Sequence, residues 1–419
     1  MAVGIALTAP GGAVRAATAA PVQPVRVAVI VMENRAYTEI VGDSGHAPYI
    51  NGTVIPEALS AAPGNPSCDY PAGDPQGTGT LACRSGMFQS FRNNRGFRAK
   101  GSAGDYAWMA MGTDANIKDT VFPDCVPGTP SCSPVTDANG GVVGYTPGGD
   151  PSDPPYNIFR VIEGGPATFR VYAEDYPGSA TRCSTAAWSD ATDPHLFYAR
   201  KHNPLLMVWD QTPDAHVVPG TTPASAPDGT ACTNHLVDFP GNTPNATVRQ
   251  TVNFDGSETF GTVTFIIPSL CHDMHNSNSA CTNGTGVPDD VGATRGGDTW
   301  LANNLDGIRR DVGRHGVVIV AWDESGAVDN AGVAPPMPLF VVPGLDAAGA
   351  AGVLAACPQG GCTDTSAIYD DSSVLRSLLQ VAGSGCATLD DSVSYQGQGT
   401  NTARSYCAAA TPLPLALAQ

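Results

Sequence analysis

Basic side chains are scarce in this sequence. Against 39 Asp and Glu there are only 21 Lys and Arg, giving a formal net charge of −18. No stretch gathers the cations into a patch. Such a surface has no general attraction for phosphate backbones or anionic lipid, which argues against nucleic-acid binding. Long apolar runs are also missing: no segment approaches the ~20 residues that a membrane span needs, so no stable membrane insertion is expected. There is no C-x-x-C pair of the zinc or thioredoxin kind and no internal repeat. Nothing in the chain indicates a protein partner.

What is present is a chain of 419 residues with 42% hydrophobic side chains, enough for a sizeable core. Twelve cysteines lie in Gly/Pro-rich surroundings, a usage that fits disulfides and an oxidising compartment. Near neighbours in sequence are Cys125 and Cys132, Cys271 and Cys281, Cys357 and Cys362, and Cys386 and Cys407. Local pairing within these couples is the expectation. Residues 1–20, "MAVGIALTAPGGAVRAATAA", read as a signal-like or disordered Ala/Gly leader. The two signals together point to a secreted or periplasmic protein.

Five apolar runs have the look of buried strands: Val25 to Met32, Thr168 to Ala173, Val263 to Ile267, Val317 to Trp322 and Leu339 to Val342. Strands that are apolar throughout and well separated in sequence imply a mostly parallel sheet covered by helices. Four of them end on polar or acidic residues: Glu33-Asn34, Glu174-Asp175, "PSLCHDMH" and Asp323-Glu324. In parallel α/β sheets, ligands bind outside the carboxyl ends of the strands. Leu301, Leu305, Ile308 and Val312 fall at helical spacing, with Asp298 available as a cap. Val374, Leu375, Leu378 and Leu379 form a second stripe ending at Gly383. Residues 123–156 read as a long loop insertion. The whole is consistent with one α/β domain over residues 21–419.

Three groups of residues can carry chemistry. Ser102, in "KGSAGDYAWMAMG", precedes an apolar helical segment. It is either a helix cap or a hydroxyl set at the positive end of a helix, where an alkoxide or phosphate is stabilised. Asp323 and Glu324 follow a strand directly. They form either a solvated acidic corner or, with Glu33 and Asn34, an all-oxygen shell for one divalent cation, suiting Mg, Ca or Mn better than Zn. His202 lies beside Arg200 and Lys201, possible phosphate contacts, and "CHDMH" holds His272, Asp273 and His275.

Taken in order, "VMENRAY", "GSAGDY", "RVYAEDYPG", "RKHNP", "FIIPSLCHDMH", "GGDTWLANNL" and "VIVAWDES" resemble the phosphoesterase family of secreted acid phosphatases and bacterial phospholipases C, in its acid-phosphatase branch. The resemblance implies the three-layer α/β/α sandwich of the alkaline phosphatase superfamily, with long disulfide-tied loops. It implies a secreted, metal-dependent phosphomonoesterase acting on a phosphorylated small molecule through a phosphoseryl intermediate. Ser102 would be the nucleophile and itself a metal contact. Glu33, Asn34, Asp323 and Glu324 would complete the metal shell. His202 and His275 would stabilise the phosphoryl group or protonate the leaving oxygen, while Asp105, Arg200, Lys201 and Asp273 would line the substrate.

The chain departs from the family pattern in three places. Gly104-Asp105 stands where the family has Pro-Asn, Asp329-Asn330 follows the W-D-E segment where a histidine is usual, and Asp371 replaces another family histidine. A phospholipase C, or a homologue that binds a phospho-ligand without turnover, are the alternatives these departures leave.

Overall fold

In the computed structural model, the residues described are 22–55, 86–88, 102–112, 157–176, 198–199, 202–205, 235–239, 254–275, 290–325, 335–352, 354, 362–364, 369–389 and 403–417. The loop insertion at 123–156, the leader, Arg200, Lys201, Asp329 and Asn330 fall outside them.

Eight strands form one sheet. They are β1 Arg26–Met32, β2 Gly86–Phe88, β3 Phe169–Ala173, β4 Leu236–Asp238, β5 Val263–Ile267, β6 Gly316–Trp322, β7 Leu339–Pro343 and β8 Cys362–Asp364. The order across the sheet is β4-β3-β5-β1-β6-β7-β2-β8. All five apolar runs of the sequence are strands. The three others are only three residues long, too short to show a pattern. Neighbours pair in parallel except around β7, which runs antiparallel to both β6 and β2.

β1 lies at the middle, in register with β5 (Ile30 opposite Ile266) and with β6 (Met32 opposite Trp322). Val27 to Met32 and Val317 to Trp322 are wholly or almost wholly inaccessible to solvent. This is why both read as unbroken apolar runs: a central strand covered on both faces has no polar side to alternate with.

The helices are α1 Tyr37–Ile40, α2 Ser102–Met111, α3 Ile158–Glu163, α4 Asp290–Val312, α5 Asp371–Val381 and α6 Ala403–Ala409, with a single π-helical turn at Ile50–Val54. α2, α3, α5 and α6 pack on one another, whereas α4 packs on β1 and β6. The result is the α/β/α sandwich expected from the sequence. Among the described residues no helix is long and apolar enough to cross a membrane.

Local sequence accounts for the helix ends. Asp370 accepts the Ser373 N–H at 2.9 Å and caps α5; Gly383, at φ +75°, supplies the left-handed turn that follows it. Asp298 corrects the reading from spacing. It sits inside α4 rather than before it, because α4 starts at Asp290. Its carboxylate accepts the N–H groups of Tyr49 and Ile50 at 2.9 and 2.8 Å, closing the start of the π-helical turn. Spacing cannot reveal a cap that acts on a different element.

Close approach explains two glycines of α4. A Cβ on Gly307 would lie 1.6 Å from the Phe254 carbonyl oxygen, and one on Gly297 would lie 2.3 Å from Met274 Cγ and 2.8 Å from the His272 carbonyl oxygen. The second contact seats the loop after β5 directly on α4. The disulfide Cys386–Cys407 joins the residues after α5 to α6, with Cα atoms 5.6 Å apart, so this pairing of sequence neighbours holds. Cys271 is also disulfide-bonded, while Cys125, Cys132, Cys281 and Cys357 lie outside the described residues.

At the other end of α4, Asp311 is buried, with Oδ1 accepting the Glu258 N–H at 2.9 Å and no partner for Oδ2 among the described residues. Burial, with Glu258 and Asp255 nearby, pushes its carboxyl up to about 7. The folded state therefore holds this proton more tightly than the unfolded chain does. The group's penalty is absent below the ordinary carboxylate pKa of about 4, grows as pH rises toward 7 and is complete above it. Asp311→Asn keeps the acceptor for Glu258 and removes the charge. It is expected to raise stability by about 1–2 kcal/mol at pH 8 and not at pH 4. Urea denaturation at the two pH values checks this.

Candidate active site

β1 leaves the sheet through Glu33, Asn34 and Arg35, all three buried. The backbone here is sewn to its neighbours. Glu33 N–H donates to the Asp273 carbonyl at 2.6 Å, and Asp323 N–H donates to the Met32 carbonyl at 3.0 Å. The exits of β1, β5 and β6 are therefore fixed relative to one another before any side chain is considered.

Three non-glycine residues among those described have positive φ: Asn34 at 49°, Asp175 at 58° and Met274 at 75°. They lie just beyond the ends of β1, β3 and β5. Asn and Asp tolerate this region, but for methionine it costs about 1–2 kcal/mol. The strain is confined to the edge of the sheet where the polar residues collect.

Ser102 is the first residue of α2. Its Oγ donates to Glu33 Oε2 at 2.9 Å, with both groups buried. The hydroxyl is directed at a buried carboxylate of the β1 exit, a contact that a capping role alone does not require.

His202 Nδ1 lies 3.3 Å from Glu33 Oε1 and 3.3 Å from Asp273 Oδ2. Two carboxylate oxygens facing one ring nitrogen favour a proton on Nδ1. The ring stacks on Tyr106, with centroids 5.4 Å apart and planes 3° from parallel. His275 is tilted against it at 5.8 Å, and its backbone N–H donates to Asp273 Oδ1 at 2.7 Å.

Asp323 Oδ1 accepts the N–H groups of Asn34 at 3.2 Å and Glu324 at 2.6 Å. Oδ2 is buried and accepts no hydrogen bond among the described residues. Burial pushes this carboxyl up to about 6, opposed first by hydrogen bonding with the Glu33 side chain, then by the Asn34 and Glu324 N–H groups and the Ser102 hydroxyl. The Tyr106 hydroxyl is buried among Glu33, Asp323 and Asp273. Burial first, then those three carboxylates, raises its pKa well above 10. It remains a neutral phenol.

The structure thus brings Glu33, Ser102, His202, Asp273, His275 and Asp323 together. It sets imidazoles beside the oxygen ligands expected from the sequence. Ligand atoms of Glu33, His202 and His275 lie within 4.8 Å of one another, so the group able to hold a cation mixes one carboxylate with two imidazoles. Asn34 and Glu324 enter through their backbone N–H groups, and the Asn34 carbonyl is taken by Arg35 at 3.0 Å. Asp105 is buried in the first turn of α2, where a carboxylate is favoured by the helix dipole.

The residues fit a divalent cation. Three carboxylates and two imidazoles share a site in which the one nearby guanidinium among the described residues, Arg35, is bonded to Thr294 and the Asn34 carbonyl. Nitrogen ligands widen the choice of metal toward zinc and manganese.

Sequence reading passed over a further pair at the same edge. Glu174, after β3, is buried and accepts the Ser269 N–H at 2.9 Å. Its carboxylate also holds His272 Nδ1 at 2.7 and 2.9 Å. The available signal was an acidic residue directly at a strand exit, the same signal that Glu33 gives.

No protein-family model and no curated protein matches this chain. Among solved structures it is similar to an alkaline phosphatase superfamily protein from Vibrio parahaemolyticus, with 9% identity, a TM-score of 0.42, and 87% of this chain and 69% of that one covered. It is also similar to the lipoteichoic acid synthase LtaP from Listeria monocytogenes (8% identity, TM-score 0.35, 86% and 72% covered). A third is an alkaline phosphatase from the Antarctic bacterium TAB5 (10% identity, TM-score 0.35, 87% and 100% covered). With every TM-score below 0.5, none of these likenesses carries chemistry to this chain.

A buried cluster of like charges is costly without a counter-ion. Manganese or zinc added to chelator-treated protein is expected to stabilise it by about 2.7 kcal/mol at a hundredfold excess over Kd. Glu33→Gln should abolish most of that gain and leave the chelated protein as stable as the parent or more so. Thermal denaturation with and without chelator reads both effects.

Proposed function

We propose that this chain is a metal-dependent phosphoric-ester hydrolase, most specifically a phosphomonoesterase, with Ser102 as nucleophile. The observation that carries this reading is the Ser102 hydroxyl. It sits buried at the start of α2 and donates at 2.9 Å to a carboxylate that also faces the imidazole cluster. A serine held only for structure does not need a general base in this position.

The chain's own residues supply most of the chemistry. Glu33 Oε2 takes the Ser102 proton as Oγ attacks phosphorus in line, and returns it when the phosphoseryl bond is cleaved by water. Ser102 opens α2, so the positive end of the helix dipole favours the negative charge on Oγ and the phosphoryl oxygens. His202 is held upright by Glu33, Asp273 and the Tyr106 ring. Glu33, His202, His275 and Asp323 would hold the divalent ion. When bound, such an ion neutralises this acidic site and offsets charge on the phosphoryl group.

Substrate choice lies with the loops around this edge. The test is phosphate release from a chromogenic phosphomonoester and from a diester, with manganese, magnesium, calcium or zinc supplied in turn. Ser102→Ala should lose at least about a thousandfold in kcat with the preferred ester. Near-parent turnover in that variant would remove Ser102 from the mechanism. Preference for the diester would move the substrate class toward the phospholipase C alternative.

A further inference from the structure

Departure of an alkoxide from phosphorus needs a proton donor unless the leaving group is unusually acidic. The two histidines expected from the sequence to serve are engaged otherwise. His202 is 1% exposed, with its Nδ1 facing two carboxylates, and His275 belongs with it and Glu33 to the group able to hold a cation. The leaving oxygen is left without an assigned donor.

We propose that His272, oriented by Glu174, is the general acid for the leaving group; the proposal rests on the ester-hydrolase reading above. His272 lies on the loop after β5, next to Asp273 and three residues before His275. That loop is sewn to the β1 exit through Asp273 and seated on α4 at Gly297. The His272 side chain is 23% exposed whereas Glu174 is 7% exposed, which sets a buried carboxylate behind a ring that meets solvent. Glu174 itself is fixed by the Ser269 N–H. Its hold on Nδ1 keeps a proton there and leaves Nε2, which has no partner among the described residues, to face outward.

Other histidines of the described residues do not offer this arrangement. Asp43, the partner of His46, is 33% exposed and lies only three residues away on the same turn. His235 immediately precedes β4, and its Nδ1 donates to the Phe169 carbonyl at 3.1 Å, where β3 begins. It therefore belongs to the opposite end of the sheet.

The step balances as follows. His272 enters the step as the imidazolium, its Nδ1–H held by Glu174. Ser102 Oγ forms its bond to phosphorus, the bond from phosphorus to the leaving oxygen breaks, and the Nε2 proton passes to that oxygen to release the alcohol and leave His272 neutral. Water then attacks the phosphoseryl phosphorus and gives a proton to His272 Nε2. Ser102 Oγ departs and recovers its own proton from Glu33. Both groups end as they began, and the sum is ester plus water to alcohol plus phosphate.

The test compares kcat/KM for an alkyl phosphate, whose leaving group needs the proton, with that for 4-nitrophenyl phosphate, whose leaving group does not. Parent, His272→Ala, Glu174→Gln and Ser102→Ala proteins are measured with the same metal. His272→Ala should lose about a hundredfold or more on the alkyl ester and under tenfold on the nitrophenyl ester. Glu174→Gln should shift the ratio the same way, less strongly. Equal losses on both esters, or no loss, overturn the role of His272 while an inactive Ser102→Ala upholds the nucleophile. A selective loss in His272→Ala beside an active Ser102→Ala upholds the acid and overturns the nucleophile. A parent protein that turns over neither ester overturns both.

Discussion

The structure depends on the burial of three carboxylates, Glu33, Asp273 and Asp323, at one edge of its sheet. Each is at most 1% exposed, and no free guanidinium or ammonium stands among them in the described residues. In isolation such an arrangement would expel a charge or take up protons. Here it is stabilised in part by backbone: Asp323 takes two N–H donors and Asp273 takes one. The remainder falls to His202, to the Ser102 hydroxyl and to whatever cation the site accepts. A fold does not keep a group like this for stability, because an apolar replacement would serve better.

Rigidity makes this burial possible. β1 and β6 are sealed on both faces, and their last residues are paired in register up to Met32 and Trp322. The carboxylates of Glu33 and Asp323 hang from the next residue of each strand and have little freedom to separate. Strained backbone at Asn34, Asp175 and Met274 marks the same edge. Such strain persists only where surrounding structure over-determines it, and the loop after β5 shows how: it is held by Glu33 N–H on one side and by the bare backbone of Gly297 on the other.

The site also separates two kinds of histidine. His202 is enclosed, with one nitrogen committed to carboxylates and its face to Tyr106. His272 has a carboxylate behind it and solvent in front. Burial and partner, not residue type, set what each imidazole can do. Both environments arise within a few residues of a strand end, which is how a parallel sheet concentrates different chemistries in one place.

The architecture was legible in the chain. A strand buried on both faces must be apolar throughout, so its sequence announces itself, and five runs found five strands. The same logic exposed Glu33, Asp323 and Asp273, because a charge directly after such a run has nowhere ordinary to go. Ser102 could be named, but its contact with Glu33 could not, since a helix-start serine reads alike as cap or nucleophile and only the fold brings its hydroxyl to that carboxylate. Other features had no local signature. Asp298 looked like a cap of its own helix and caps another; β2, β4 and β8 were too short to show a period; nothing in the spacing placed His202 and His275 beside Glu33. The Glu174–His272 pair joins residues 98 apart in sequence, and only the adjacency of β3 and β5 brings them together. Sequence by itself determined what had to be buried and where polar groups would emerge, because both follow from solvation along one strand. Which of those groups meet was decided by tertiary structure alone, because strand order fixes the neighbours and nothing in the spacing of residues records it.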